Sequence, residues 1–331
     1  MILAGDIGGT RSRLALYALY APNASKPVRI QVFESRAFSD LEAVLRVFLG
    51  PRPPKITAAT FGVAGPVVKN RCQATNLPWH IDGHALARKF RITRVTLIND
   101  LVALSLGTLT VPASKLRLLQ GSATPKRRAG NLAVIAAGTG LGEAALIWDG
   151  ARYVTCATEG GHCDFAARDD LEIELFRFLR KRTGGRVSYE RVLSGNGLGN
   201  LYDFFREAKR IPEAREVKDA IASAQDRNAA IAAQGIDGKS VACARAVELF
   251  ASIYGAEAGN LALKSLATGG VYVAGGIAGF ILSVLERGVF ARGFADKGRF
   301  APLLGKIPVA VVLDPLIGLA GSAYHALHPT S

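Results

Sequence analysis

The sequence predicts an α/β protein of two domains, each built on a mixed sheet with helical crossovers. Three observations predict it. The chain has 331 residues, long for one core, and is 49% hydrophobic against 21% charged, an ordinary globular balance. Strand-like and helix-like stretches alternate, as crossover connections require. The pattern also restarts near residue 132. Each half opens with a strand, a glycine turn and a returning strand, and each later runs a strand into a small-residue turn, Ala64-Gly65 in one half and Gly275-Gly276 in the other. A repeat on this scale is expected to set the paired turns face to face across a cleft.

Ile2 to Ala4 reads as a buried strand and Arg13 to Tyr20 as its return, because Gly8-Gly9-Thr10 is too tight for anything but a hairpin. Asp6 thus sits at a strand end beside glycines whose N–H groups are open to an anion. That suits a hydrated Mg²⁺ next to phosphate, with Thr10 bonding an oxygen. An ordinary Gly-Gly hairpin fits this stretch equally well. Val28 to Ala37 reads as a third strand. Asp40 then caps a helix through Leu49, with Leu41, Leu45 and Phe48 on one face, and Pro51-Arg-Pro-Pro54 breaks it. Ile56 to Val63 is a buried strand ending in Ala64-Gly-Pro66. Val67 to Thr75 reads as an inserted strand, followed by a short helix near 83–90 and a strand from Arg94 to Ile98. A helix from Leu101 to Leu106 begins at once. Asn99 and Asp100 therefore lie at a strand's carboxyl end, where ligand clefts form in open α/β sheets. Either could be the helix cap, and a carboxylate there could equally accept a proton from a substrate hydroxyl.

Residues 109–130, rich in Ser, Pro, Lys and Arg, read as a crossing segment. Leu132 to Ala136 is then a strand, Gly138-Thr139-Gly140-Leu-Gly142 a turn, and Ala144 to Trp148 and Tyr153 to Cys156 strands. Helices follow over Leu171–Arg182, Tyr189–Leu193, Leu198–Arg206, Val217–Ala233 and Val241–Leu263. Val271 to Ala274 and Val309 to Leu313 are strands, and Ile317 to Leu327 closes the chain as a helix. The Gly138-x-Gly140-x-Gly142 spacing imitates a dinucleotide fingerprint, but that motif must open a helix and Glu143 to Trp148 reads as a strand. Gly238-Lys-Ser240 imitates a P-loop, yet Ala233 stands where that motif needs glycine and a helix precedes it. In Thr158-Glu159-Gly-Gly-His162 the glycines permit a bend that turns both polar side chains to one small polyol. Glu190, before a glycine-broken helix, adds a carboxylate that by itself reads as a solvated face residue.

The net charge of +14 suggests an anionic partner. The basic residues are dispersed, apart from Lys126-Arg-Arg128 and Arg180-Lys-Arg182, and show no aromatic interleaving, so no nucleic-acid face is expected. Four scattered cysteines without a CxxC pair argue against zinc and against a disulfide framework. No apolar run approaches the roughly 18 residues of a membrane helix. No signal peptide is expected, and the setting expected is cytoplasmic.

Taken together, Gly5-Asp-Ile-Gly-Gly-Thr10, Gly62-Val-Ala-Gly-Pro66, Thr75-Asn-Leu-Pro-Trp79, Leu97-Ile-Asn-Asp100, Gly138-Thr-Gly-Leu-Gly142, Glu159-Gly-Gly-His162, Tyr189-Glu-Arg-Val-Leu-Ser-Gly195 and Ala274-Gly-Gly-Ile277 resemble the bacterial glucokinases. These belong to the hexokinase/actin-like ATPase superfamily. The resemblance runs along nearly the full length. It implies the two-domain actin-like ATPase (ribonuclease H-like) fold, with a small domain of residues 1–110 plus 314–331, a large one of 111–313, and an active-site cleft between them. It implies transfer from ATP to the 6-hydroxyl of glucose, with Asp100 as general base and Asn99, Glu159, His162 and Glu190 bonding the other hydroxyls. Asp6 would hold Mg²⁺, Gly8, Gly9 and Thr10 would approach the phosphates, Gly138, Thr139 and Gly140 would line the second turn, and Gly275 and Gly276 would lie near adenosine. It also implies a homodimer. The related ROK group carries a Cys-rich zinc motif after its Gly-His. Cys163-Asp-Phe-Ala stands there in this chain, which is similar to the zinc-free branch. Another hexose, polyphosphate as donor, or a sugar-sensing regulator are the alternatives on the same fold.

Overall fold

The first strand, β1 (Ile2–Ile7), is apolar on both faces because both faces are covered. It belongs to a computed structural model that describes residues 1–18, 26–122, 124–125 and 130–329. The residues group into two compact units, Met1–Lys115 with Arg152–Ala157 and Asp314–Ser331, and Leu116–Ala151 with Thr158–Leu313.

In the first unit β1 is followed by β2 (Arg11–Tyr17), β3 (Arg29–Glu34), α1 (Leu41–Leu49), β4 (Ala58–Val63), β5 (Val67–Val68), β6 (Arg71–Gln73), β7 (His80–Asp82), α2 (Gly83–Phe90), β8 (Arg94–Asn99) and α3 (Asp100–Thr108). The main sheet has the order β3-β2-β1-β4-β8, mixed as expected: β1 runs antiparallel to β2 and parallel to β4, and β4 parallel to β8. Asp40 caps α1 by accepting from the Ala43 N–H, and Leu41, Leu45 and Phe48 enter the core with Phe61 and Trp79. The strand expected over Val67 to Thr75 is instead a hairpin, β5 and β6, which β7 extends to three strands. Its two-residue turn is Lys69-Asn70, at φ 49° and 60°. Positive φ at both centres matches the right-handed strand twist. The return strand ends at Tyr17, so Leu19 and Tyr20 of the expected strand lie outside the described residues.

The second unit carries β9 (Leu116–Gln120), β10 (Leu132–Ala137) and β11 (Leu141–Trp148), and β12 (Tyr153–Ala157) follows as part of the first. Helices α4 (Asp170–Thr183), α5 (Gly195–Asp203), α6 (Arg215–Ser223), α7 (Arg227–Ile236) and α8 (Val241–Ser265) precede β13 (Gly270–Ala274). Four short helices, α9 (Gly276–Phe280), α10 (Leu282–Leu285), α11 (Val289–Ala295) and α12 (Ala301–Leu304), lead to β14 (Val309–Val312). The sheet order here is β11-β10-β13-β14-β9, again mixed. The α8 helix is apolar nearly all round because α5, α7 and α11 pack about it.

Several expectations are corrected. The crossing segment contains β9, which pairs antiparallel with β14. Its Lys126-Arg-Arg128 run lies outside the described residues. The helix expected over Val217 to Ala233 is two, because Asp226 accepts from Asn228 and Ala229 N–H and so starts α7 afresh. Tyr189 to Leu193 holds one 3₁₀ turn, Tyr189–Arg191. Ser194 caps α5 early, at the Gly197 N–H, and a π-helical stretch, Phe204–Ala208, follows it. The four short helices after β13 have too few residues each to show a period.

The last helix, α13 (Ile317–Leu327), returns to the first unit, where Leu319, Ala323 and Ala326 cover Ile2, Ala4, Ala15 and Ala58. Its Ser322 hydroxyl donates to the Gly5 carbonyl and accepts from the Gly62 N–H. His325 is buried, 3.2 Å from the Thr60 hydroxyl through Nδ1. Burial, aided by Arg94, pushes its pKa down to about 4. The unfolded chain then binds a proton that the native state refuses, so stability is full above the ordinary value of 6.5 and is lost as pH falls towards 4. His325→Gln is expected to flatten thermal melts between those two values. The wild type should lose up to about 3 kcal/mol there, and parallel melting curves for both proteins would contradict it.

Candidate functional site

In the first unit, register brings the predicted residues together. Ile7 lies abreast of Val63, and Val63 of Asn99, so Asp6, the Ala64-Gly65 turn and the Asn99-Asp100 pair occupy the same carboxyl end of one sheet. The turn after β1 is closed by the Gly8 N–H donating to the Arg11 carbonyl at 3.1 Å. A Cβ on Gly9 would stand 2.6 Å from that of Asn76, so the Thr75-to-Trp79 segment requires glycine beneath it. Thr10 is exposed beside it. The Ala64 carbonyl accepts from the N–H and hydroxyl of Thr75, and the Gly65 carbonyl accepts from Asn99 Nδ2 at 3.3 Å.

Asn99, rather than Asp100, is the cap of α3, its Oδ1 accepting from the N–H groups of Leu101 and Val102. Asp100 is the first helical residue, exposed, with Oδ1 accepting from the Leu101 N–H at 2.9 Å. Asp6 is partly buried and accepts from Arg13 Nη1 at 3.0 Å. Burial pushes its carboxyl pKa up, while the Arg13 charge and hydrogen bond oppose that. The carboxyl faces Gly318, where a Cβ would stand 3.5 Å from its carboxyl carbon, at ordinary contact distance. Neither Arg13 nor Gly318 stands out in the sequence. One is the return-strand partner of Asp6, and the other comes from a distant helix.

In the second unit the Gly138-Thr139-Gly140 turn joins β10 to β11, a strand as expected and not the helix of a dinucleotide fold. The Gly138 N–H bonds the Gly140 carbonyl at 2.8 Å, and the Gly138 carbonyl accepts from the Gly195 N–H at 2.9 Å. Glu190 meets this turn: its Oε2 accepts from the Leu141 N–H, and a Cβ on Gly140 would lie 2.4 Å from it. Ala136 pairs with Ala274, which puts Gly275 and Gly276 at the same sheet end. Gly275 has φ 86° and a Cβ there would lie 2.2 Å from the Ala137 carbonyl oxygen, so only glycine fits. Buried Tyr254 ties the two strand ends, accepting from the Ala137 N–H and donating to the Ala274 carbonyl. Glu159 and His162 are exposed on either side of Gly160-Gly161, and the His162 carbonyl is held by Arg186. The Tyr189 N–H donates to the Cys163 carbonyl, so the segment bearing Glu159 and His162 is tied to the one bearing Glu190.

Each unit thus presents glycine turns, carboxylates and polar groups at one sheet end, which suits phosphates and a polyol. A family model described as Glucokinase matches residues 3–329. A glucokinase of Synechocystis sp. is 43% identical over 97% of this chain and 96% of its own length, and one of Nostoc sp. is 39% identical over 98% of each. A glucokinase crystal structure from an Antarctic psychrotroph matches with a TM-score of 0.85 and 30% identity over 98% of both chains. That of Balamuthia mandrillaris, in complex with glucose, matches at 0.79 and 21% identity over 98% of this chain and 93% of its own. A ROK family glucokinase of Streptomyces griseus, in complex with glucose and AMPPNP, matches at 0.64 and 18% over 98% of both. These likenesses place the fold among the two-domain α/β sugar kinases of actin-like ATPase architecture. With a family model spanning nearly all of it and relatives similar from end to end, this chain belongs to the glucokinase family.

Proposed function

We propose that this glucokinase transfers the γ-phosphoryl group of ATP to the 6-hydroxyl of glucose with Asp100 as general base. That the chain phosphorylates glucose with ATP follows from its family and full-length relatives. The observation carrying the residue assignments is the placement of Asp6, the Gly65 turn, Asn99 and Asp100 at one sheet end. Asn99 is held by the helix it caps, which keeps its amide in place for a sugar hydroxyl, and Asp100 next to it takes the proton as the hydroxyl attacks. Glu159, His162 and Glu190 bond the remaining hydroxyls. Gly8, Gly9 and Thr10, with Gly138, Thr139 and Gly140, offer backbone N–H groups to the phosphates, and Gly275-Gly276 lies beside adenosine. Phosphoryl transfer asks chiefly for positioning and charge neutralisation, so these groups are the greater part of the machinery. The glucose and AMPPNP bound in the related structures support glucose and ATP as the substrates.

Asp6 fits Mg²⁺. It is a single carboxylate whose side chain is partly exposed, and Mg²⁺ is commonly held by one or two carboxylates, substrate phosphates and waters rather than by a protein cage. When bound, Mg²⁺ would neutralise phosphate charge. Among the described residues no three of His, Cys, Asp and Glu come together as a ligand group. Cys163-Asp-Phe-Ala supports the zinc-free branch. Among the described residues no helix is long and apolar enough to cross a membrane. The cytoplasmic setting and the homodimer rest on the resemblance.

A coupled assay of purified protein across hexoses and donors tests the proposal. Glucose with ATP should release ADP only when Mg²⁺ is supplied, and turnover should survive zinc-specific chelation. No turnover with any hexose and ATP would overturn it. Stoichiometric zinc, lost together with activity, would overturn the assignment to the zinc-free branch.

A further inference from the structure

Beneath the Gly160-Gly161 turn lies a polar cluster that the reaction does not use. Glu143, on β11, is 1% exposed, and Glu257, on α8, is 0% exposed. They lie on elements that pack together, β11 against α8, and Glu257 is the charge that acts most on the Glu143 carboxyl. Glu143 packs directly under the turn: a Cβ on Gly160 would lie 2.1 Å from its Oε2, and its backbone carbonyl accepts from the Thr158 hydroxyl at 2.8 Å. Its Oε1 finds no hydrogen-bond donor among the described residues. Glu257 takes Asn260 Nδ2 at 2.8 Å and Lys264 Nζ at 3.3 Å, and the same Asn260 amide reaches the Tyr189 hydroxyl at 3.1 Å. Tyr189 immediately precedes Glu190. One buried carboxyl pair therefore touches both the turn between Glu159 and His162 and the residue before Glu190.

We propose that Glu143 and Glu257 are positioning residues that share one proton, and that this proton holds the Glu159, His162 and Glu190 segments in their sugar-binding arrangement. The inference rests on the reading of those three residues as sugar contacts. Two carboxylates buried side by side cannot both ionise cheaply. The charged and titratable groups facing the pair are Lys264, Tyr254, Lys297 and Tyr189. Lys264 is the cation bonded to the pair, and it bonds Glu257. A single negative charge thus has a bonded cation, and among the described residues a second has none, Lys297 facing the pair without an ion pair to it. Burial first, then the Glu257 charge, pushes the Glu143 pKa well up from the ordinary carboxyl range. The shared proton is present at neutral pH and leaves in alkaline solution. The second charge then forces apart the groups supporting the sugar segments.

The test compares wild type with Glu143→Gln, which keeps the shape and cannot ionise. The wild-type KM for glucose should rise about tenfold between pH 7 and pH 9, with kcat at saturation falling less than about twofold. The Glu143→Gln KM should change by less than about twofold over the same range. Superimposable KM profiles for the two proteins, or a flat wild-type profile, overturn the proposal. Infrared spectroscopy of the wild type needs no variant to fold. A band of a buried protonated carboxylic acid should be present at pH 7 and titrate away by pH 9, and its absence at pH 7 overturns the shared proton. Glu159→Ala separates the two readings. An unchanged glucose KM there removes the sugar-contact assignment while the infrared titration still stands.

Discussion

Asp100→Asn should bind glucose nearly as the wild type does and turn it over about 10²–10⁴-fold more slowly, the usual contribution of a positioned base. The structure sharpens this experiment. Were Asp100 the helix cap, asparagine would replace it almost without effect, because the two cap equally well. The cap is Asn99, which accepts from Leu101 and Val102 and remains in the variant. Thermal stability should therefore hold while kcat falls, and glucose affinity should be carried by Asn99, Glu159, His162 and Glu190. Single-turnover kinetics with an equilibrium measurement of glucose binding would separate the two effects. A folded variant with near wild-type kcat would falsify the general-base assignment.

Gly321→Ala should cost about 3 kcal/mol or more in unfolding free energy, although it adds one methyl group to a helix. Helices α3 and α13 cross at backbone contact. A Cβ on Gly321 would stand 1.6 Å from the Ala103 carbonyl oxygen, and one on Gly107 would stand 2.1 Å from that of Ile317. Neither obstacle is a side-chain tip that could swing aside, so the helices must separate. Because α3 begins at Asp100, separation also moves the proposed base, and kcat should fall in whatever fraction remains folded. Urea denaturation is the direct measurement. A loss below about 1 kcal/mol, the range of an uneventful substitution, would show that the crossing relaxes freely.

What local chemistry specifies was legible in the residues alone. The Asp40 cap, the two glycine hairpins and the strand after Gly142 each depend on neighbours within a few positions, and α13 spans the expected Ile317–Leu327. The roles proposed for Asp6, Asn99, Asp100, Glu159, His162 and Glu190 were open on the residues alone and were chosen by the resemblance, since a carboxylate beside a turn has the same local signature whether or not it meets a ligand. Tertiary structure decided the rest. β9 lies in a polar stretch that is a strand only because β14 offers it an edge. Lys69-Asn70 turns back because β7 completes a small sheet around that hairpin. Gly107 and Gly321 look like ordinary small residues until two helices distant in sequence meet there. Glu143 reads as one polar position of a strand and Glu257 as one of a long helix. Their shared burial arises from the packing of β11 against α8, for pairwise desolvation depends on which surfaces meet and leaves no trace in either segment alone.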